Sequence, residues 1–119
     1  MKDGRGTPFF IRLKSGRPFG FAGIWSLKRG DKGTRLATCA IATCLPNELM
    51  AKIHNRMPVI LPAGPRDRWL DPAADEAELR GLLIPLPAED LEAYEVSPLV
   101  NSPRNDSPEC VKPLTVGLE

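Results

Sequence analysis

The chain holds one histidine, His54, inside the stretch Ala51 to Leu61, AKIHNRMPVIL. An imidazole gives and takes protons near neutral pH. Arg56, two residues on, carries a permanent positive charge that suits a phosphate or a carboxylate. Both lie where a short apolar segment ends and the chain turns toward Met57-Pro58, and element ends are where chains display reactive groups. The residues alone leave two readings for His54. It is a packed or solvated histidine, or it is one member of an active site whose other members lie elsewhere. Arg56 likewise reads as an anion ligand or as half of an ordinary surface ion pair.

Three thiols, Cys39, Cys44 and Cys110, are the other groups able to do chemistry. Zinc takes four tetrahedral ligands, usually from paired Cys-x2–4-Cys motifs. Cys39-x4-Cys44 with His54 does not complete such a set, so no metal and no cofactor is expected. A Cys–His nucleophilic pair is formally available. Nothing in the local sequence lowers the pKa of any of the three thiols. Ser97, Asn101, Asn105 and Asp106 fall in VSPLVNSPRNDSPEC. They line a polar site or form consecutive turns, and composition favours turns.

The elements that must hold these groups read as follows. Pro8 to Leu13, PFFIRL, is a strand. Ser15-Gly16-Arg17-Pro18 is a turn, and Phe19 to Trp25 is a second strand, so the pair predicts a hairpin. Gly20, Ala22 and Gly23 predict close approach of another backbone. Leu36 to Thr43, LATCAIAT, is nearly all apolar and predicts a strand buried on both faces. Pro46 to Ile53 predicts a short helix carrying Leu49, Met50 and Ile53 on one face. Met57 to Leu61 is a short strand with Pro58 at its start or on an edge. Pro65 to Leu70 is a helical turn, Asp75 to Leu83 a helix, and Ala93 to Val96 a brief strand. The fold class is α+β, mostly antiparallel β-sheet with short helices.

A chain of 119 residues, 42% hydrophobic and 26% charged, fits one soluble domain. No apolar run approaches the roughly 20 residues that cross a bilayer, so no membrane partner is expected. The first residues carry no apolar signal segment, and three thiols fit a reducing compartment, so the expected location is the cytoplasm. The net charge of +1 hides an asymmetry. Residues 1–35 hold nine Lys/Arg against Asp3 and Asp31, while residues 66–95 hold nine acids against three arginines. A basic first third attracts phosphates, and Lys14 and Arg17 join Arg56 as DNA-binding candidates. The plainer reading is that these charges solvate turns.

The blocks RPFGFAGIW, TCAIATCLPNELMAKIHNRMPVIL, WL and VSPLVNSPRNDSPEC, in that order from about Pro8 to Leu114, resemble the SOS response-associated peptidase (SRAP) family. Asn47 to Leu61 is the most specific part. The resemblance implies an α+β fold, binding of single-stranded DNA with abasic sites, and processing of those sites. It implies self-processing peptidase, DNA-crosslinking and lyase-type activity. In the family a cysteine just after the initiator methionine closes on the abasic aldehyde as a thiazolidine, assisted by an asparagine, a glutamate and a histidine. Ile53-His54-Asn55-Arg56-Met57-Pro58 matches the family's IH-x-R-x-P motif. His54 therefore stands at the position of the family's catalytic histidine, expected to move protons during capture and release.

The sequence departs from the family's pattern as well. Lys2 stands where the family has cysteine, and the Met-Cys-Gly-Arg start and the Gly-Phe-Tyr-Glu-Trp motif are not found. Cys44 falls where threonine is common, and Pro46 where alanine is common. Residues 1–119 accordingly read as the C-terminal half of an SRAP domain. The expectations are a chain without catalytic competence by itself and self-association through exposed sheet edges. The alternative is a non-catalytic remnant acting as a nucleic-acid-binding or protein-interaction module.

Overall fold

The computed structural model describes residues 6–114. Strand β1 (Phe9–Leu13) pairs antiparallel with β8 (Leu91–Glu95), in register from Phe9 opposite Glu95 to Leu13 opposite Leu91. Between them the chain forms β2 (Gly20–Phe21), β3 (Gly23–Arg29), β4 (Arg35–Ile41), β5 (Thr43–Cys44), β6 (Met57–Pro58) and β7 (Ile60–Leu61). Helices α1 (Ala63–Trp69) and α2 (Glu76–Gly81) follow. Each described ladder is antiparallel, and the two helices are short, as expected of this α+β class.

Six of the short strands are three longer segments that part company at one point. β3 pairs with β4, β2 with β7, and β5 with β6. The residues left between them are Ala22, Ala42 and Val59. Ala22 N–H donates to the Val59 carbonyl at 2.8 Å, Val59 N–H to the Ala42 carbonyl at 2.9 Å, and Ala42 N–H to the Ala22 carbonyl at 2.8 Å. The three bonds close a ring, so each segment exchanges one neighbour for the other there without stranding a polar group. Ala22 and Val59 have no exposed surface at all. At Ala22 the backbone is bonded to both other segments and the side chain is fully buried. This is the close approach predicted for Gly20, Ala22 and Gly23, but it holds only at Ala22. A Cβ added at Gly20 would meet nothing within 4 Å, and one at Gly23 only the Ala40 carbonyl at 3.5 Å.

Beneath this junction sits the core: Met50, Met57, Ile60, Leu61, Leu86 and Leu91, with Ile11, Leu13 and Phe19 packed against it. Burial of such side chains contributes about 1.5–3 kcal/mol each. The predicted hairpin between residues 8–13 and 19–25 does not form. Gly16, at φ +77°, turns the chain, and its N–H reaches the Leu13 carbonyl at 2.9 Å. Pro18 then follows without an N–H to extend a ladder. β1 takes β8 as its partner instead, and the expected strand 93–96 begins two residues earlier.

The segment expected to be a helix from Pro46 to Ile53 is reduced to one 3-10 turn, Met50–Lys52. Asn47 marks where the turn begins. Its Oδ1 accepts the Met50 N–H at 2.8 Å, and its Nδ2 donates to the Leu86 carbonyl at 2.7 Å. One side chain thus caps the start of the turn and ties it to a distant loop. Helix α1 starts two residues before the predicted turn. In α2, Asp75 is the N-cap and its carboxylate accepts the Glu78 N–H at 2.8 Å.

The largest departure concerns residues 36–43. The sequence predicts a strand buried on both faces. Every residue of β3 and β4 is exposed. The hairpin extends away from the junction, turning through Gly30–Thr34, and its base is held by Trp69 Nε1, which donates to the Gly23 carbonyl at 3.0 Å. The radius of gyration is 17.8 Å, above the about 13–14 Å of a close-packed domain this long.

Candidate functional site

His54 lies just past the 3-10 turn, and its position follows from the bonding of that turn. His54 N–H donates to the Met50 carbonyl at 2.8 Å, and Met50 is itself buried. The imidazole is exposed. Its Nδ1 accepts the Arg56 backbone N–H at 3.1 Å. A neutral ring that accepts at Nδ1 carries its proton on Nε2. Nε2 is thus the nitrogen left to exchange a proton with a ligand.

Arg56 is placed by register. β5 lies opposite β6, with Thr43 across from Pro58 and Cys44 across from Met57. Continued one residue, that register sets Arg56 opposite Leu45, on the face that Thr43 shares, so Arg56 reaches Thr43 diagonally. Its hydroxyl accepts from Arg56 Nη2 at 2.9 Å and, at 3.3 Å, from Nε. A neutral hydroxyl orients the guanidinium without cancelling its charge. Among the described residues no carboxylate forms an ion pair with Arg56, so it keeps the charge that an anion would meet. Nothing in the sequence marks Thr43 as a partner, because a strand pairing thirteen residues away brings it there.

The thiols do not join this pair. Cys39 is exposed on β4, whereas Cys44 and Cys110 are buried. Burial pushes the Cys44 thiol up, and the nearby Arg56 charge only partly opposes this. A thiol so placed stays protonated and inert. Among the described residues no group of three His, Cys, Asp or Glu side chains is arranged to hold a metal ion. The polar stretch from Ser97 to Asp106 forms turns. Ser97 Oγ accepts the Leu99 N–H at 3.1 Å, and Asn105 Nδ2 donates to the Leu99 carbonyl at 2.9 Å.

Lys14 and Arg17 are exposed, but they lie at the other end of β1 from His54. Phe9, at the near end, lines a cavity of about 340 Å³ together with Leu49, Lys52 and Ile53. Lys14 follows the far end, with its N–H on the Asp90 carbonyl at 2.9 Å. Five strand residues, roughly 15 Å, separate the two ends. The basic first third therefore divides. Lys14 and Arg17 sit at this turn, while Lys28, Arg29, Lys32 and Arg35 crowd the tip of the β3–β4 hairpin. Lys2 and Arg5 lie outside the described residues. Of the predicted site residues, His54 and Arg56 are brought together, apart from Lys14 and Arg17.

An α+β module that displays a tautomer-fixed histidine beside an uncancelled arginine is equipped to move protons next to an anionic ligand. A family model described as SOS response associated peptidase (SRAP) matches residues 1–103. The chain belongs to that family. It is 49% identical over 106 residues to the abasic site processing protein YoqW of Bacillus subtilis (strain 168), a match covering 88% of this chain and 47% of the relative. It is 37% identical over 99 residues to the abasic site processing protein HMCES of Gallus gallus, covering 82% of this chain and 29% of that one. A crystal structure of a protein from Bacteroides thetaiotaomicron superposes with a TM-score of 0.84 at 29% identity, over 96% of this chain and 51% of the other. The chain spans about half the length, or less, of the relatives it matches. No helix among the described residues is long and apolar enough to cross a membrane.

Proposed function

We propose that this chain is the DNA-engaging, proton-moving part of an abasic-site processing module whose ligand is single-stranded DNA carrying an abasic site. The observation that carries the reading is the geometry at residues 54 and 56. The histidine of the IH-x-R-x-P motif has Nδ1 occupied by its own loop, which leaves Nε2 for the ligand. The arginine beside it is oriented by Thr43 and keeps its charge for a phosphate. In this reading His54 is catalytic and Arg56 is its DNA-binding neighbour. Lys14 and Arg17 extend the attraction for the backbone at the far end of β1. The work takes place in a reducing compartment such as the cytoplasm.

The same reading makes residues 1–119 half of a catalytic domain rather than the whole of one. Thiazolidine closure on an aldehyde needs a thiol and a free α-amine on one residue. The thiols in this chain are internal, and Cys44 and Cys110 are buried as well. An exposed thiol such as Cys39 adds to an aldehyde only reversibly. The test is a denaturing gel after incubation with an abasic single-stranded oligonucleotide in the absence of reductant. The expected result is no heat-stable shifted band, together with salt-sensitive binding in a native assay that weakens in Arg56→Ala. A heat-stable adduct would refute the account of the nucleophile. Binding unchanged in Arg56→Ala would refute the account of the site.

A further inference from the structure

His54 stands in a segment that closes on itself. Asn47 N–H donates to the sulfur of Met57, ten residues on, at 3.3 Å. Met57 is buried and pairs with Cys44 in the β5–β6 ladder, so this end of the segment is held by the core. Residues 47–57 are thus a compact loop with its ends in contact, a kind of loop that often carries function. His54 and Arg56 stand exposed near its second end. Hydrogen bonds lead to them from Asn47 in three steps. Asn47 Oδ1 accepts the Met50 N–H at 2.8 Å, the Met50 carbonyl accepts the His54 N–H at 2.8 Å, and His54 Nδ1 accepts the Arg56 N–H at 3.1 Å. The amide nitrogen of Asn47 donates to the Leu86 carbonyl at 2.7 Å, thirty-nine residues away. Leu86 belongs to the core.

We infer that Asn47 is the positioning residue of His54. By holding the start of the turn against Leu86, it sets where the imidazole stands and keeps Nδ1 on the Arg56 N–H. The two side-chain bonds use an acceptor and a donor on separate atoms, and Asn supplies both. Asp keeps the acceptor but sets a carboxylate against the Leu86 carbonyl, and Ala supplies neither group. Asn47 is half-buried and both polar atoms of its side chain are bonded within the protein, so it acts through His54 and not on a ligand. Its bearing on abasic-site chemistry rests on the reading of His54 as the catalytic group.

His54 is the only histidine in the chain, so long-range proton–nitrogen correlation spectra of the full 119-residue protein report its two ring nitrogens without ambiguity. Native-state amide exchange reports the Arg56 N–H. At a pH where the ring is neutral, the wild type should show the Nε2–H tautomer. Asn47→Ala should move both ring nitrogens toward the averaged tautomers of a free imidazole. It should also speed exchange of the Arg56 amide by about two- to tenfold, the loss of one net hydrogen bond. Asn47→Asp keeps the cap on Met50 and loses the donor to Leu86, so it should move the same signals part of the way. Because the cap is kept, this variant carries the test if Asn47→Ala fails to fold. Leu61→Ala is the control, since Leu61 is buried in the core and pairs with Gly20, outside the loop. It should lower the melting temperature and leave the His54 signals in place. Signals unchanged in Asn47→Ala, unchanged in Asn47→Asp, or moved as far by Leu61→Ala would each overturn the inference. DNA plays no part in these readouts, so their failure is separable from failure of the proposed reaction.

Discussion

The Arg56 backbone N–H on Nδ1 of His54 leaves Nε2 as the other imidazole nitrogen, and Thr43 fixes where the Arg56 side chain points. His54 and Arg56 were legible in the sequence because a lone histidine two residues from an arginine, before a proline, is a compact local signal. Thr43 was not, since nothing in a run of small and apolar residues marks one hydroxyl as the partner of a distant guanidinium. The thiols give a prediction at this scale. Thiolate, not thiol, is the nucleophile, and burial both blocks access and disfavours the charged form. Labelling with a thiol-reactive disulfide under native conditions should therefore modify Cys39 first. Cys44 and Cys110 should react only after denaturant is added. Rapid native labelling of Cys44 would contradict the burial that holds its pKa up.

Between residues and the whole, the elements depend on a few tertiary anchors. Met57 is almost fully buried, and its sulfur accepts the Asn47 N–H at 3.3 Å. Met57→Ala should cost about 2–5 kcal/mol in urea-induced unfolding, by lost transfer free energy and a cavity under the strand junction. The two helices are joined through Arg68, which bonds Asp71 at 2.7 Å and reaches across to both carboxylate oxygens of Glu78. The hydrogen bond from Arg68 holds the Glu78 carboxyl below its ordinary value near 4.5. A depressed folded pKa contributes stability in full above the ordinary value and loses it as pH falls through the folded one. Thermal melts of the wild type should thus lose a contribution below about pH 4.5. Glu78→Gln should remove that part of the acid limb, and an unchanged limb would contradict the pairing. The pair is solvent-exposed, so added salt should shrink the effect. Element types were mostly legible from local pattern. Their pairing was not, because β1 is joined to β8 across most of the chain.

Viewed whole, the molecule has a closed core and an uncovered ribbon, with cations in separate places on its surface. Binding to single-stranded DNA should show log K falling by about 0.7 per phosphate neutralised for each tenfold rise in salt. The double variant Lys14→Gln/Arg17→Gln should lower that slope by about 1.4 if both cations meet phosphates. A slope unchanged by the double variant would restrict the DNA contact to the His54 side of the molecule. At raised concentration the chain alone should self-associate reversibly through the ribbon, because exposed apolar strands find one another when nothing else covers them. Sedimentation velocity across a concentration series reads this directly. The composition of residues 36–43 predicts a strand buried on both faces, and the structure contradicts this, since every residue of β4 is exposed.

The amino-acid sequence by itself determined the family, the α+β class and the pairing of His54 with Arg56. Each of these rests on residue identity over short spans, where spacing and turn chemistry carry the information. The tertiary structure alone decided that β1 pairs with β8 and that Ala22, Ala42 and Val59 close a ring of backbone hydrogen bonds. It also decided that Thr43 orients Arg56, that Lys14 and Arg17 stand a strand's length from His54, and that the apolar hairpin is bare. These depend on which distant segments satisfy one another's backbone groups and apolar faces, and a one-dimensional pattern does not encode the choice of partner.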